Sequence, residues 1–192
     1  SGKTLTGKAL LRILPKGARI TGGSAMFHPR RGGEMDLLAL SRSGIRAVRG
    51  GRVSMIFQEP MSSLSPLHTI GDQTAEVVRL HEGLSGEAAR HRCLETFEQV
   101  GFPDPERAWA AYPFELSGGL RQRAMIAMAL VCKPDLMIAD EPTTALDVTT
   151  QAQVLDLVKR LQAEMGLAVV LVTHDLGVVA NTADRVVVMR KG

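Results

Sequence analysis

The chain has 192 residues, 45% of them hydrophobic, and a formal net charge of +3 at pH 7. That length supports one well-buried core and is short for two ordinary domains. The basic residues are scattered, with short clusters such as Pro29-Arg30-Arg31, which argues against the long basic arm of a nucleic-acid binder. One Trp and one Tyr leave no platform for stacking bases. Apolar runs such as residues 124–132 fall short of the roughly 18 residues a membrane span needs. Cys93 and Cys132 lie in unrelated predicted helices, and they read as thiols in a reducing cytosol rather than as a disulfide or a metal site.

The chain opens on Ser1-Gly2-Lys3-Thr4 with no initiator Met and no signal peptide, and is expected to be a fragment. Gly2-Lys3-Thr4 matches the last three positions of the phosphate loop G-x-x-x-x-G-K-[ST], whose first Gly would lie just upstream. The tripeptide gains weight from the helix predicted after it, over residues 5–14. Residues 20–40 alternate glycine-rich turns with short apolar pieces and suggest antiparallel excursions from a core. Residues 53–57 suit a short buried strand, and Gln58 at its end is compatible with a site residue or with a surface Gln capping a turn. The segment Pro60-Met61-Ser62-Ser63-Leu64-Ser65-Pro66 is a proline-bounded loop. Helical spacing then runs through Val77, Val78 and Leu80, and through Leu94, Phe97 and Val100. Residues 101–113, with Pro103, Pro105 and Pro113, form an irregular link.

The densest chemistry follows. A Ser117-Gly118-Gly119 turn opens an apolar helix over residues 124–132, and Pro134 stops it. Such a start offers unpaired N–H groups and a partial positive charge to an anion. An aliphatic strand over residues 135–139 ends in Asp140 and Glu141, two adjacent carboxylates that offer a metal ligand and a base. Thr149 or Thr150 is expected to cap an amphipathic helix with the stripe Val154, Leu155, Val158, Leu161 and Met165, closed by Gly166. Residues 167–173 read as a second buried strand with His174 at its end, and residues 185–189 as a last strand.

The run LSGGLRQR followed by LMIADEPTTALD resembles the signature motif, Walker B and D-loop of an ATP-binding cassette (ABC) ATPase, although Leu120 stands where most members have Gln. The resemblance implies an α/β P-loop NTPase (RecA-like) core, a mainly parallel sheet flanked by helices, with a helical subdomain. Residues 1–192 would form one nucleotide-binding domain, with its core at 1–58 and 119–192 and the helical subdomain at about 59–118. ATP and magnesium (Mg2+) are the implied cofactors. By the same resemblance Ser1, Gly2, Lys3 and Thr4 cradle the phosphates, and Thr4, Gln58 and Asp140 attend the magnesium. Glu141 acts as general base, and His174 and Gln58 align the γ-phosphate and the attacking water. Ser117, Gly118, Gly119 and Asp147 meet the nucleotide across a dimer.

The segment at residues 60–66, with Tyr112-Pro113, is similar to oligopeptide, dipeptide and nickel importer ATPases. This implies an ATPase coupled to transmembrane transport, a translocase peripheral to the cytoplasmic face of the inner membrane. Its implied partners are a second ABC ATPase subunit, identical or homologous, transmembrane permease subunits docking near residues 61–68, and indirectly a substrate-binding protein. No nucleic acid is expected. The alternatives are a non-transport cassette acting on DNA or ribosomes, and an inactive fragment.

Overall fold

The computed structural model describes residues 2–58, 63–144 and 146–190. Ser1, residues 59–62, Ala145 and residues 191–192 lie outside it, and with them the phosphate-loop expectation for Ser1 and part of the proposed docking segment at 61–68.

Three parallel strands hold the molecule's centre: β3 (Val53–Ile56), β4 (Leu136–Asp140) and β5 (Ala168–Val172), in the order β3-β4-β5. Parallel register pairs Val53 with Leu136 and Asp140 with Val172, so the carboxyl ends of all three strands fall at one end of the sheet. The central strand β4 is buried from Met137 to Asp140, as a continuous aliphatic run with both faces covered should be. Strand β5 departs from the expectation of a second buried strand: Ala168 and Val170 are exposed. It lies at the edge of this sheet, where one face stays open.

Helix α1 (Lys3–Leu10) rests on β4 through Gly7, whose Cα face comes close to Ile138. A small antiparallel pair, β1 (Met26–Phe27) and β2 (Met35–Asp36), bears out the expected excursions. The glycine-bearing stretch before β3 folds as α2 (Arg42–Val48), capped by the Ser41 hydroxyl accepting from Gly44 N–H. Leu11, Phe27, Leu37, Ile45, Val48, Val53 and Ile138 form a core on this side of the sheet.

On the other side lie α3 (Ile70–Glu82), α4 (Gly86–Gln99), α5 (Pro105–Ala110), a 3-10 turn (Pro113–Glu115), and then α6 (Gly118–Leu130). The stretch at 101–113 is more ordered than its prolines suggest. Pro105 takes the first turn of α5, where its missing N–H costs nothing, and Asp104 caps it by accepting from Arg107 N–H. Helix α6 is buried nearly all round, including Ala124, Met125, Ile126, Ala127, Ala129 and Leu130, as befits a helix between two layers. One hydrophobic cluster joins Ile56 and Met137 of the sheet, Ile126 of α6, Phe97 of α4 and Ile70 of α3 to Val154 and Leu161 of α7 (Val148–Met165).

Two further expectations are corrected. The cap of α7 is Asp147 rather than Thr149 or Thr150: its carboxylate accepts from Thr150 N–H at 2.9 Å and Thr150 Oγ1 at 2.7 Å. Residues 185–189 follow the short α8 (Leu176–Thr182) without strand pairing among the described residues, and Val187 and Val188 are 86% and 88% exposed. A β-branched run makes a strand only where a neighbouring strand receives its N–H and C=O groups.

Candidate functional site

The site grows from the parallel register. Gln58, Glu141 and His174 each lie just past the carboxyl end of β3, β4 or β5, at the same end of the sheet, the crevice where open α/β sheets bind ligands. Helix α1 begins there too. Gly2 caps it in the left-handed region, with φ of 86°, a conformation that suits glycine.

Around this crevice the side chains are joined by hydrogen bonds. Lys3 Nζ donates to the Thr173 carbonyl at 2.7 Å, which sets the ammonium beside the end of β5. Thr4 Oγ1 donates to Asp140 Oδ1 at 3.0 Å. Asp140 is 1% exposed, so its carboxylate is deeply buried with a hydroxyl as its neighbour. Two hard oxygens side by side suit magnesium, which takes one or two protein ligands and completes its shell with water and phosphate oxygens. Among the described residues no cluster of three or more His, Cys, Asp and Glu could cage a metal alone.

Glu141 is the hub. Its Oε2 accepts from Gln58 Nε2 at 3.0 Å and from Thr144 Oγ1 at 3.0 Å, while Oε1 lies 3.2 Å from His174 Nδ1. Its backbone has φ of 49°, in the left-handed region uncommon for a residue with a side chain, and Glu141 N–H donates to Val172 C=O at 2.8 Å. Burial pushes the Glu141 carboxyl up. The hydrogen bonds from His174 and Thr144, and the charges of His174 and Lys3, together outweigh burial and hold it below the ordinary carboxylate range.

A second group is separate. Ser117 caps α6, its Oγ accepting from Leu120 N–H at 3.4 Å. With Gly118, Gly119, Leu120, Arg123, Leu146, Asp147 and Thr150 it lines a cavity of about 360 Å³ that includes neither Lys3, Thr4, Gln58, Asp140, Glu141 nor His174. Gly119 is fitted to its place: a Cβ there would lie 2.9 Å from the Thr150 methyl. Arg121 ties this helix start to the turn before it, with Nε donating to Pro113 C=O at 2.7 Å. The Asp147 carboxyl is held below its ordinary value by its hydrogen bonds from Thr150.

Of the residues singled out in the sequence, Lys3, Thr4, Gln58, Asp140, Glu141 and His174 thus meet at one end of the sheet, and Gly2 heads the same α1. Ser117, Gly118, Gly119 and Asp147 form the other group. Thr144 and the Thr173 carbonyl went unremarked in the sequence. The available signal for Thr144 was its place three residues after Glu141 in a Pro-containing turn.

Residues 1–144 match the family described as ABC transporter. Over its whole length the chain is 51% identical to a peptide import ATP-binding protein of Brucella melitensis biotype 1, of which it covers 57%. It is 50% identical to the glutathione import ATP-binding protein GsiA of Salmonella paratyphi A, of which it covers 31%. The chain therefore spans little more than half, or less, of the relatives it matches. Among solved structures it is similar to a dimeric bacterial ABC transporter cassette, with TM-score 0.71, 29% identity, and 93% of this chain and 73% of that one covered. It also matches a post-hydrolysis dimer of an ATP-binding cassette bound to ADP and Pi, with TM-score 0.64, 34% identity, and 75% of this chain and 61% of that one covered.

Proposed function

The chain belongs to the ABC transporter family, and on that premise we propose that it is the ATP-binding and ATP-hydrolysing subunit of an importer, for peptides or nickel. The observation that carries this reading is the convergence of Lys3, Thr4, Gln58, Asp140, Glu141 and His174 on the carboxyl ends of three parallel strands. Relatives named for peptide import and glutathione import support the substrate class.

In this reading Gly2 and the first N–H groups of α1 face the phosphates, and Lys3 leaves the Thr173 carbonyl to neutralise the terminal one. Thr4 and Asp140, with Gln58 nearby, hold magnesium, which supplies charge neutralisation at the phosphate oxygens. Glu141 accepts the proton of the attacking water, and His174 keeps carboxylate and γ-phosphate aligned. The separate Ser117-Gly118-Gly119 turn, with Asp147 beside it, serves the nucleotide of a second ATPase subunit, so that ATP bridges two chains. That second subunit is identical or homologous. Closure of the pair moves the α3–α5 region, which we read as the helical subdomain, against permease subunits at the cytoplasmic face of the membrane. A docking place for them is the groove of about 190 Å³ lined by Phe57, Leu64, Val77, Met125 and Met128. Among the described residues no helix is long and apolar enough to cross a membrane, which agrees with a peripheral place.

Steady-state hydrolysis with magnesium and ATP tests the reading. Glu141→Gln keeps shape and hydrogen bonding but removes the base, and is expected to lower kcat by about 10²-fold or more while nucleotide binding persists. Hydrolysis at the wild-type rate by Glu141→Gln would overturn the assignment of the base.

A further inference from the structure

We propose that Thr144 is a positioning residue that decides which oxygen of Glu141 acts as the base, an inference that rests on the catalytic reading of Glu141 above. A carboxylate offers about four lone-pair positions, two on each oxygen. Oε2 already accepts from Gln58 Nε2 and from Thr144 Oγ1, both at 3.0 Å. Oε1 faces only His174 Nδ1, at 3.2 Å, among the described residues. The acceptor position left for a water is therefore on Oε1, beside His174.

The backbone is arranged to put Thr144 in that place. Glu141 N–H is fixed to Val172 C=O at 2.8 Å, and Thr144 N–H returns to Glu141 C=O at 3.2 Å. The turn between them carries Pro142, which is buried, and begins at a residue with φ of 49°. Such a left-handed residue is held only where its surroundings over-determine it. Here the returning hydrogen bond closes the turn, and the Thr144 hydroxyl closes a second bridge, side chain to side chain, across the same four residues. Gln58 arrives from a different strand and shares Oε2 with Thr144. If Gln58 leaves, Thr144 still marks Oε2 as occupied. Without Thr144, Oε2 is held by Gln58 alone and the carboxylate loses the restraint supplied from its own turn.

The test compares Thr144→Val, which keeps the shape and loses the hydroxyl, with Thr144→Ser, which keeps the hydroxyl. Thr144→Val is expected to lower kcat about 10-fold with KM for ATP within about twofold, since a single oriented hydrogen bond to a charged group is at stake. Thr144→Ser is expected to restore kcat to within about threefold of wild type. A second readout uses the nucleotide-free protein. Thr144→Val should lower Tm by about 2–4 °C, and by clearly less in a Glu141→Ala background, which removes the acceptor oxygens, because the two side chains are directly coupled. Wild-type kcat in Thr144→Val, a loss that Ser does not recover, a rise in KM in place of the fall in kcat, or equal Tm shifts in both backgrounds would overturn the proposal. Failure of the underlying reading looks different: there Glu141→Gln itself would remain active.

Discussion

Asp135 stands at the foot of β4, gripped by two guanidinium groups. Arg30 Nε donates to its Oδ1 at 2.6 Å, and Arg52 donates to Oδ2 from Nε at 3.1 Å and Nη2 at 3.0 Å. Arg30 also reaches the carbonyls of Lys133, Pro134 and Met165, so the short basic cluster of the sequence is a clamp between strands and helix ends. Burial pushes the Asp135 carboxyl up, and the hydrogen bonds and charges of Arg30 and Arg52 together bring it below its ordinary value. A carboxyl depressed in the folded state contributes stability that is fully present above the unfolded pKa, about 3.9, and lost as pH falls through the lower folded value. Asp135→Asn is therefore expected to cost about 1–2 kcal/mol at neutral pH, with the gap to wild type closing below about pH 4. Urea unfolding across pH measures it, and a gap unchanged down to pH 3 would contradict the clamp. At this scale the candidate site was largely legible as a meeting of side chains: carboxylates at strand ends and a Lys-Thr at a helix start stand out by type, and folding brings them together. Thr144 and the clamp were not, because a hydroxyl and an arginine acquire a role only from what folding sets beside them.

Elements were legible where periodicity was long and obscured where punctuation misled. Helices α3, α4 and α7 follow their apolar stripes, and α6 its continuous apolar run. Helix α5 was hidden because Pro103 and Pro105 read as breaks, although a proline in the first turn starts a helix as readily as it ends one. Its packing supplies a sharp prediction. Gly71 of α3 sits against Trp109 of α5, and a Cβ there would lie 2.3 Å from Trp109 Cδ2 and 2.7 Å from the Trp109 carbonyl oxygen. Backbone blocks any escape toward the carbonyl. Gly71→Ala should cost about 1–3 kcal/mol or more by forcing α3 and α5 apart, seen as a lower Tm, despite the better helix propensity of Ala. An unchanged or raised Tm would mean that the two helices are not in this contact. The run at 185–189 erred in the other direction: its valines have strand propensity, but no ladder among the described residues receives them.

At the scale of the whole molecule, the parallel order β3-β4-β5 explains why side chains 83 and 33 residues apart meet: Gln58, Glu141 and His174 each follow a strand that runs the same way. The order of motifs in the sequence implied that meeting. The resemblance also implied that the Ser117 turn lies apart from it, and packing shows how: α6 starts beside Asp147 and Thr150 rather than beside Lys3. Two separate groups of side chains on one chain lead to the central proposal, that nucleotide is enclosed by two chains at once. A ligand that touches both faces only in the paired state drives pairing by its own binding free energy. The most direct measurement is sedimentation of the Glu141→Gln protein with and without magnesium and ATP. The account predicts a monomer that becomes a dimer when ATP is added, and no dimer for a Ser117→Arg version of the same protein. A chain that stays monomeric in saturating ATP, or a Ser117→Arg version that pairs equally well, would contradict it.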